Sequence, residues 1–296
     1  MKITHFFFYG LIIGLVFSSL AQLGSIASFN FQIERVGWKS HGLNQSWSIP
    51  LDYIGQDIAF DSNNCIYVVG YDYSSNNSIK FVKYNSSGVQ LWKKELEGFY
   101  RHNLIMKSDL NNNLYLAGYY RNLTIDWNPA IFKFNSSGDL IWQKIYEDDN
   151  VSSIHDIAID SEDHIYLYGS LESDNLYIIK YNKSGSLLWF HEFGEIGISH
   201  GSSILIDSDN NIIISGISSN YSSIYWLRSY NISRDLQWFI TRDSESFPLL
   251  GLDSSDNVIS IAVDYINYDR QLDLVKYDNS GNSIWNYTLE SRFLDL

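Results

Sequence analysis

The chain has 296 residues, 34 of them acidic and 20 basic, which sets a formal net charge of −14 at pH 7. Such a surface repels phosphate backbones and anionic lipid headgroups, and with no Lys/Arg block in the sequence it argues against nucleic acid as a partner. Aromatic residues make up 16% of the chain and Tyr leads them with 22 copies, whereas Pro occurs 3 times; this is strand-and-turn material, and the single Cys65 cannot close an internal disulfide.

Residues 1–5 carry Lys2, residues 6–21 form an uncharged apolar run, and Ser19-Leu20-Ala21 has the small-x-small form of a signal-peptidase site. A secretory signal peptide over 1–21 is expected, with an uncleaved anchor as the alternative. The run is shorter than the ~20 residues that a spanning helix needs. No membrane span is expected after cleavage, and the location expected is secreted or cell envelope. Residues 22–51, with Trp47, read as N-terminal strands or a partial blade, and 52–296 as the repeats.

The phrase Lys83-Tyr84-Asn85-Ser86-Ser87-Gly88-Val89-Gln90-Leu91-Trp92 returns four times in altered form, ending at Trp142, Trp189, Trp238 and Trp285. The Trp spacings are 50, 47, 49 and 47 residues. Gly88, Gly138, Gly185 and Gly281 precede their Trp by four residues; Arg234 stands at that place in the fourth copy, where Ser229 also replaces Lys. A second phrase, residues 61–70, begins at Asp61 and recurs from Asp109, Asp160, Asp207 and Asp253, ending on Gly except at Ala262. Those departures predict less regular turns in repeats four and five. Lys107 and Ser108 stand where other copies are apolar, so the inner strand of repeat two is expected to be partly exposed.

Apolar runs flank each Asp/Asn/Ser cluster, which is the pattern of strand, turn, strand. With the strands either side of the Asn-Ser-Ser-Gly turn, each unit holds four short antiparallel strands in under 50 residues. One such sheet cannot bury both faces alone, and copies stacked radially can. The fold class expected is therefore all-β: a β-propeller of five clear four-stranded blades, or six with an incomplete one from the N-terminal hairpin. In it the five Trp residues act as wedges between adjacent blades.

The two phrases resemble the prokaryotic SBBP-type β-propeller repeat, whose pattern is similar to K-Y-D-x-S-G-x-x-L-W followed by I-A-x-D-x-x-x-N-I-Y-V-x-G. The likeness runs over residues 52–290, and the Gly-to-Trp spacing is also similar to the tryptophan-docking repeat of quinoprotein-like propellers. The SBBP resemblance implies an extracellular or cell-envelope propeller of generally unassigned activity. Sialidase Asp boxes fit less well, because they place Gly three residues before the Trp.

Candidate binding residues lie just ahead of the inner strands. His102, His155 and His200 precede their repeat Asp by five to seven residues, and Gln56, Asp57, Asn103, Asp156 and Ser202 share that zone. In a propeller they would surround one mouth of the channel; for any single His, a solvated loop is the better account. The five repeat Asp residues raise calcium, but Asp207-Ser208-Asp209-Asn210-Asn211 lacks the Gly and Glu of an EF-hand, and Asx turns account for every copy, so no cofactor is expected. Tyr119, Tyr120, Trp127, Tyr221 and Trp226 could stack on sugars or on a protein, or simply face a Tyr-rich sheet.

Ten Asn-x-Ser/Thr sequons, at Asn44, Asn76, Asn85, Asn122, Asn135, Asn150, Asn182, Asn220, Asn231 and Asn286, admit glycosylation. Four of them share one repeat position, so a turn preference for Asn explains those as well. No nucleophile elbow, P-loop, HExxH or CxxC motif occurs. The expectation is a non-enzymatic protein- or glycan-binding module, with a hydrolase or lyase at the channel mouth as the alternative.

Overall fold

The computed structural model describes residues 51–290 apart from 52, 72–77, 101–102, 122–126, 148–149, 174, 194–198, 219–223, 244–246 and 267–268. The signal peptide expected over 1–21, the N-terminal strands of 22–50, His102 and Tyr221 lie outside the described residues.

Five four-stranded antiparallel sheets follow one another along the chain, each with its strands in sequence order. They are β1 (Ile54–Phe60) to β4 (Gln90–Glu97) with β2 (Ile66–Tyr71) and β3 (Ser78–Tyr84) between them, and β5 (Ile105–Ser108), β6 (Leu114–Tyr120), β7 (Asn128–Phe134) and β8 (Leu140–Ile145). The third is β9 (Val151–Ile159), β10 (Ile165–Leu171), β11 (Leu176–Tyr181) and β12 (Leu187–Phe193), and the fourth β13 (Ser199–Ile206), β14 (Ile212–Ser218), β15 (Ile224–Tyr230) and β16 (Leu236–Asp243). The last is β17 (Leu249–Leu252), β18 (Val258–Ile266), β19 (Asp269–Tyr277) and β20 (Ser283–Glu290). The chain divides into two compact units that part between Ile145 and Tyr146, the first holding two sheets and the second three.

In the first sheet the second and third strands are buried on both faces, whereas β4 alternates half-buried with exposed positions along its length. That is why β2 reads as an unbroken apolar run and β4 as an alternating one. In the first unit Tyr67, Val69, Ile79 and Phe81 pack against Met106, Leu114, Leu116 and Phe132 of the neighbouring sheet. In the second, Tyr166, Tyr168 and Ile178 meet Ile204, Ile214 and Trp226, and Leu227 and Ile213 meet Val258 and Val275. Each such side chain, once fully buried, contributes about 1.5–3 kcal/mol. Trp226 is a core residue rather than an exposed stacking one, at 1% exposure.

Trp92 and Trp238 dock between sheets. Trp92 meets Phe81 edge-on at 4.9 Å and its indole N–H donates to the Ser136 carbonyl of the next sheet at 3.3 Å. A Cβ on Gly138 would come within 3.1 Å of that indole, so the turn can approach only because the residue is Gly. Trp238 repeats the arrangement on the Gly281 turn, donating to the Asn279 carbonyl at 3.0 Å.

Two expectations are corrected. Arg234 does not disorder its turn: its φ is 70°, close to the 75° of Gly138, and both hydrogen bonds of the turn form, at 2.8 and 3.0 Å. Its guanidinium lies 5.4 Å from the Trp189 ring, a cation–π contact that offsets the strained backbone. Nor is the turn at Asp253 irregular, since both its hydrogen bonds form at 3.1 Å. Ala262 lies in a strand instead, where Gly169 of sheet three lets the Ser153 carbonyl come within 2.0 Å of a would-be Cβ. Sheet three carries a register shift there and a nine-residue inner strand; sheet five, with Ala, pairs over four residues without one. Lys107 is exposed, as its sequence position predicts.

Candidate functional site

The repeat Asp residues are anchors of their own hairpins. Asp61 Oδ1 accepts the backbone N–H of Asn63 at 2.9 Å and of Cys65 at 2.8 Å, while Oδ2 accepts the Tyr67 hydroxyl at 2.9 Å and faces the Lys83 ammonium at 3.2 Å. Asp109 with Tyr115 and Lys133, and Asp160 with Tyr166 and Lys180, build the same cluster. Each Lys also sits over the face of its Tyr, at 4.6 to 4.8 Å from the ring centre. Burial would raise the Asp61 carboxyl, but the Cys65 N–H, the Tyr67 hydroxyl and Lys83 outweigh it and hold the group below its ordinary value. Asp160 is held down the same way, with His164 and Lys180 as partners.

Sheet four shows what the cluster does. Ile213 and Ser229 replace Tyr and Lys, Asp207 binds only its own turn and the Asn211 amide, and it becomes half-buried where Asp61 is 2% exposed. Asp253 keeps Lys276, at 2.6 Å, without the Tyr. Sequence reasoning placed the Asp correctly in turns and missed the Lys. The signal was there: a cation recurring in an otherwise apolar, doubly buried strand must have a partner.

The residues expected at a channel mouth divide between the units. In the first, Gln56 is half-buried at the register shift between Gly55 and Asp57, and Asn103 is exposed with a φ of 58°. Asp57 accepts the N–H of Ile58 at 2.8 Å and, across the sheet boundary, that of Met106 at 2.6 Å. In the second unit Asp156 does the same, accepting from the Ser203 hydroxyl and the Ile204 N–H, both at 3.0 Å. Ser202 donates to the Pro248 carbonyl at 2.8 Å. These three side chains therefore tie one sheet to the next.

His155 and His200 are the exceptions. His155 is half-buried, with Nε2 at 2.6 Å from the Ser170 hydroxyl and 3.3 Å from that of Ser153, and its ring meets Tyr168 edge-on. Desolvation, aided by the nearby His200, lowers its pKa from 6.5 to about 4, so it is neutral at pH 7. His200 is exposed, its ring 6.4 Å from that of Phe247. The hydrogen bonds of His155 run to two serine hydroxyls and include no carboxylate, so the imidazole lacks the third group that would orient it as a base toward either serine.

A different set gathers at the other end of sheet two from its turns. Gly98 has a φ of 85°, Tyr100 N–H donates to the Tyr119 carbonyl and Arg121 N–H to the Gly98 carbonyl, both at 2.8 Å. Phe99 is sealed into the core at 2% exposure, against Phe132 and Tyr120. Tyr100 points outward, 38% exposed, with Tyr119 and Trp127 set edge-on beside it at 6.5 and 5.2 Å. The Arg121 guanidinium lies 4.6 Å from the Trp127 ring centre. Tyr119 and Trp127 were legible as candidates; Tyr100 and Arg121 were not, because no repeat carries them.

No family model matches the sequence, and no curated protein is similar to it. Among solved structures the chain is similar to the structure of the Dos1 propeller, with a TM-score of 0.51 and 12% identity over 80% of this chain and 61% of that one. It is also similar to a crystal structure of the eukaryotic initiation factor, with a TM-score of 0.47 and 8% identity over 80% of this chain and 55% of that one. At such identities the likeness is one of fold. The five sheets are of the propeller-blade kind, and they are called blades below.

Proposed function

We propose that the chain is a secreted or cell-envelope β-propeller of SBBP-like type that acts as a non-enzymatic binding module for a protein or glycan. One observation carries the reading: the ionisable groups that three repeats share, Asp61 with Lys83, Asp109 with Lys133 and Asp160 with Lys180, are spent inside the hairpins. A repeat carboxylate paired with Lys, Tyr and two backbone N–H groups is a poor general base or metal ligand, because freeing it costs the fold its anchor. The leader pattern of residues 1–21 and the acidic surface favour an exported protein.

The test is export followed by capture. Full-length protein made in an exporting host should leave the cytoplasm with its N-terminus near residue 22, and the mature chain should retain a glycan or surface protein in a binding screen without converting any glycoside, ester or lactone. Turnover that disappears in His155→Gln or His200→Gln protein would establish the hydrolase or lyase reading instead.

A further inference from the structure

We infer that two of the repeat turns, those opened by Asn85 and Asn182, are N-glycosylation sites, whereas Asn135 and Asn231, at the same place in other repeats, are not. The inference rests on the export half of the reading above and names a modification that the exported chain would carry.

The five turns between the third and fourth strands of the blades close alike. Oδ1 of the first residue accepts the backbone N–H of the fifth, which is Val89, Asp139, Ser186, Asp235 or Asn282, at 2.8 to 2.9 Å. An Asp serves as well as an Asn, since the fifth copy opens on Asp278. Closing the turn therefore takes an oxygen and makes no use of an amide nitrogen.

What the nitrogen does separates the copies. Asn135 Nδ2 donates to the Asp139 carboxylate and Asn231 Nδ2 to that of Asp235, both at 3.2 Å. In the fifth copy the pair is reversed, with the Asn282 amide donating to Asp278 at 3.0 Å. Two carboxylates across one turn would repel, so each of these three turns has a structural reason for its amide. Asn85 and Asn182 face Val89 and Ser186 instead, and among the described residues neither amide nitrogen has a partner. What Asn adds at these two places is a nitrogen that the fold does not use.

That nitrogen stands in an acceptor sequence. Both sites read Asn-x-Ser, with Ser87 and Ser184 exposed two residues on. Asn182 Oδ1 accepts the Ser184 N–H at 3.1 Å and its hydroxyl at 2.8 Å, and Asn85 Oδ1 accepts the Ser87 N–H at 3.0 Å. Hydrogen bonds to the carbonyl oxygen draw electron density out of the amide and make its N–H more acidic, which an amide needs before it can act as a nucleophile. In the transfer, Nδ2 bonds to the anomeric carbon of an oligosaccharide as that carbon's bond to a polyprenyl pyrophosphate breaks. The pyrophosphate leaves, and the amide proton passes to a base of the transferase. At Asn135 and Asn231 the nitrogen would first have to give up a charge-assisted hydrogen bond to a carboxylate.

The test is glycan transfer to the folded mature protein, prepared bare, by an oligosaccharyltransferase supplied with a polyprenyl-pyrophosphate-linked oligosaccharide, with the occupancy of each turn read by mass spectrometry. Asn85 and Asn182 should be occupied about tenfold more than Asn135 and Asn231, the factor that one charge-assisted hydrogen bond is worth. Asp139→Val should bring Asn135 up to the level of Asn85, and Val89→Asp should bring Asn85 down; melting temperatures confirm that both variants fold. Synthetic peptides carrying the four sequons, having no turn, should be modified alike. Equal occupancy of the four turns in the folded protein, no transfer to any of them, or the same ranking in the peptides would overturn the inference. Because the transfer is made on purified protein, such a failure leaves export standing, whereas a chain that stays in the cytoplasm would sink the export reading and this inference with it.

Discussion

The two ends of a blade are made by opposite rules. At one end lie the turns after the first and third strands, and they repeat: a five-residue hairpin with a residue at positive φ, such as Asn64, Asn112, Asp163, Asn210 and Asp256, or Gly88, Gly138, Gly185, Arg234 and Gly281. The Asp and Asn that open these turns accept backbone N–H groups on Oδ1 in copy after copy, and Trp92 and Trp238 dock there too. At the other end are the connections between successive blades and those between the second and third strands, the latter running from two to seven residues. Turn ends supply geometry and loop ends supply difference. A scaffold can be read from what recurs, and a binding surface has to be sought in what does not.

The largest effect that would separate the ends is on stability. Lys133→Met leaves Asp109 buried beside Tyr115 with no cation, which should cost about 3–5 kcal/mol in urea unfolding. Tyr100→Ala at the loop end should stay within about 0.5 kcal/mol of the parent. A Lys133 variant as stable as the parent would show that the cluster is ornamental.

A smaller contrast lies along the inner strands. Gly169→Ala pushes a methyl against the Ser153 carbonyl and the Tyr177 ring, and should cost about 1–3 kcal/mol. Gly118→Ala meets the flexible end of Leu104 at 3.1 Å and should cost less, so equal losses would undo the account of the bulged strands.

The pH dependence is smaller again. His155 has a folded pKa of about 4 against 6.5 unfolded, so the unfolded chain takes up the proton first and stability falls as the pH drops from about 6.5 to about 4. Asp61 and Asp160 are held below 3.8, so their contribution is present above that pH and is lost only further down. Acid unfolding should thus have two stages, and His155→Gln should flatten the upper one; an unchanged profile would mean that His155 is solvated.

Much of the scaffold was legible in the sequence because each repeated residue does one local job. Trp92 and Gly138 mark the docking, Asp61 and Asn85 the turns, and the spacing the four strands. The Asp–Tyr–Lys clusters were not, since Asp61, Tyr67 and Lys83 come from a turn and two strands and meet only through register. Asp57 and Asp156 read as rim residues because sequence shows them polar and ahead of an apolar strand; only the register shift reveals that they reach the next blade. Tyr100 was invisible for the converse reason, being a single departure with no copies to announce it.

The measurement that bears most directly on the division between the two ends is amide hydrogen exchange of the intact protein. The amides of Cys65, Asn113 and His164, which donate to the repeat Asp residues, should exchange more slowly than those of Tyr100 and Arg121 at the loop end. Exchange at the repeat turns as fast as at Tyr100 and Arg121, or faster, would contradict the account.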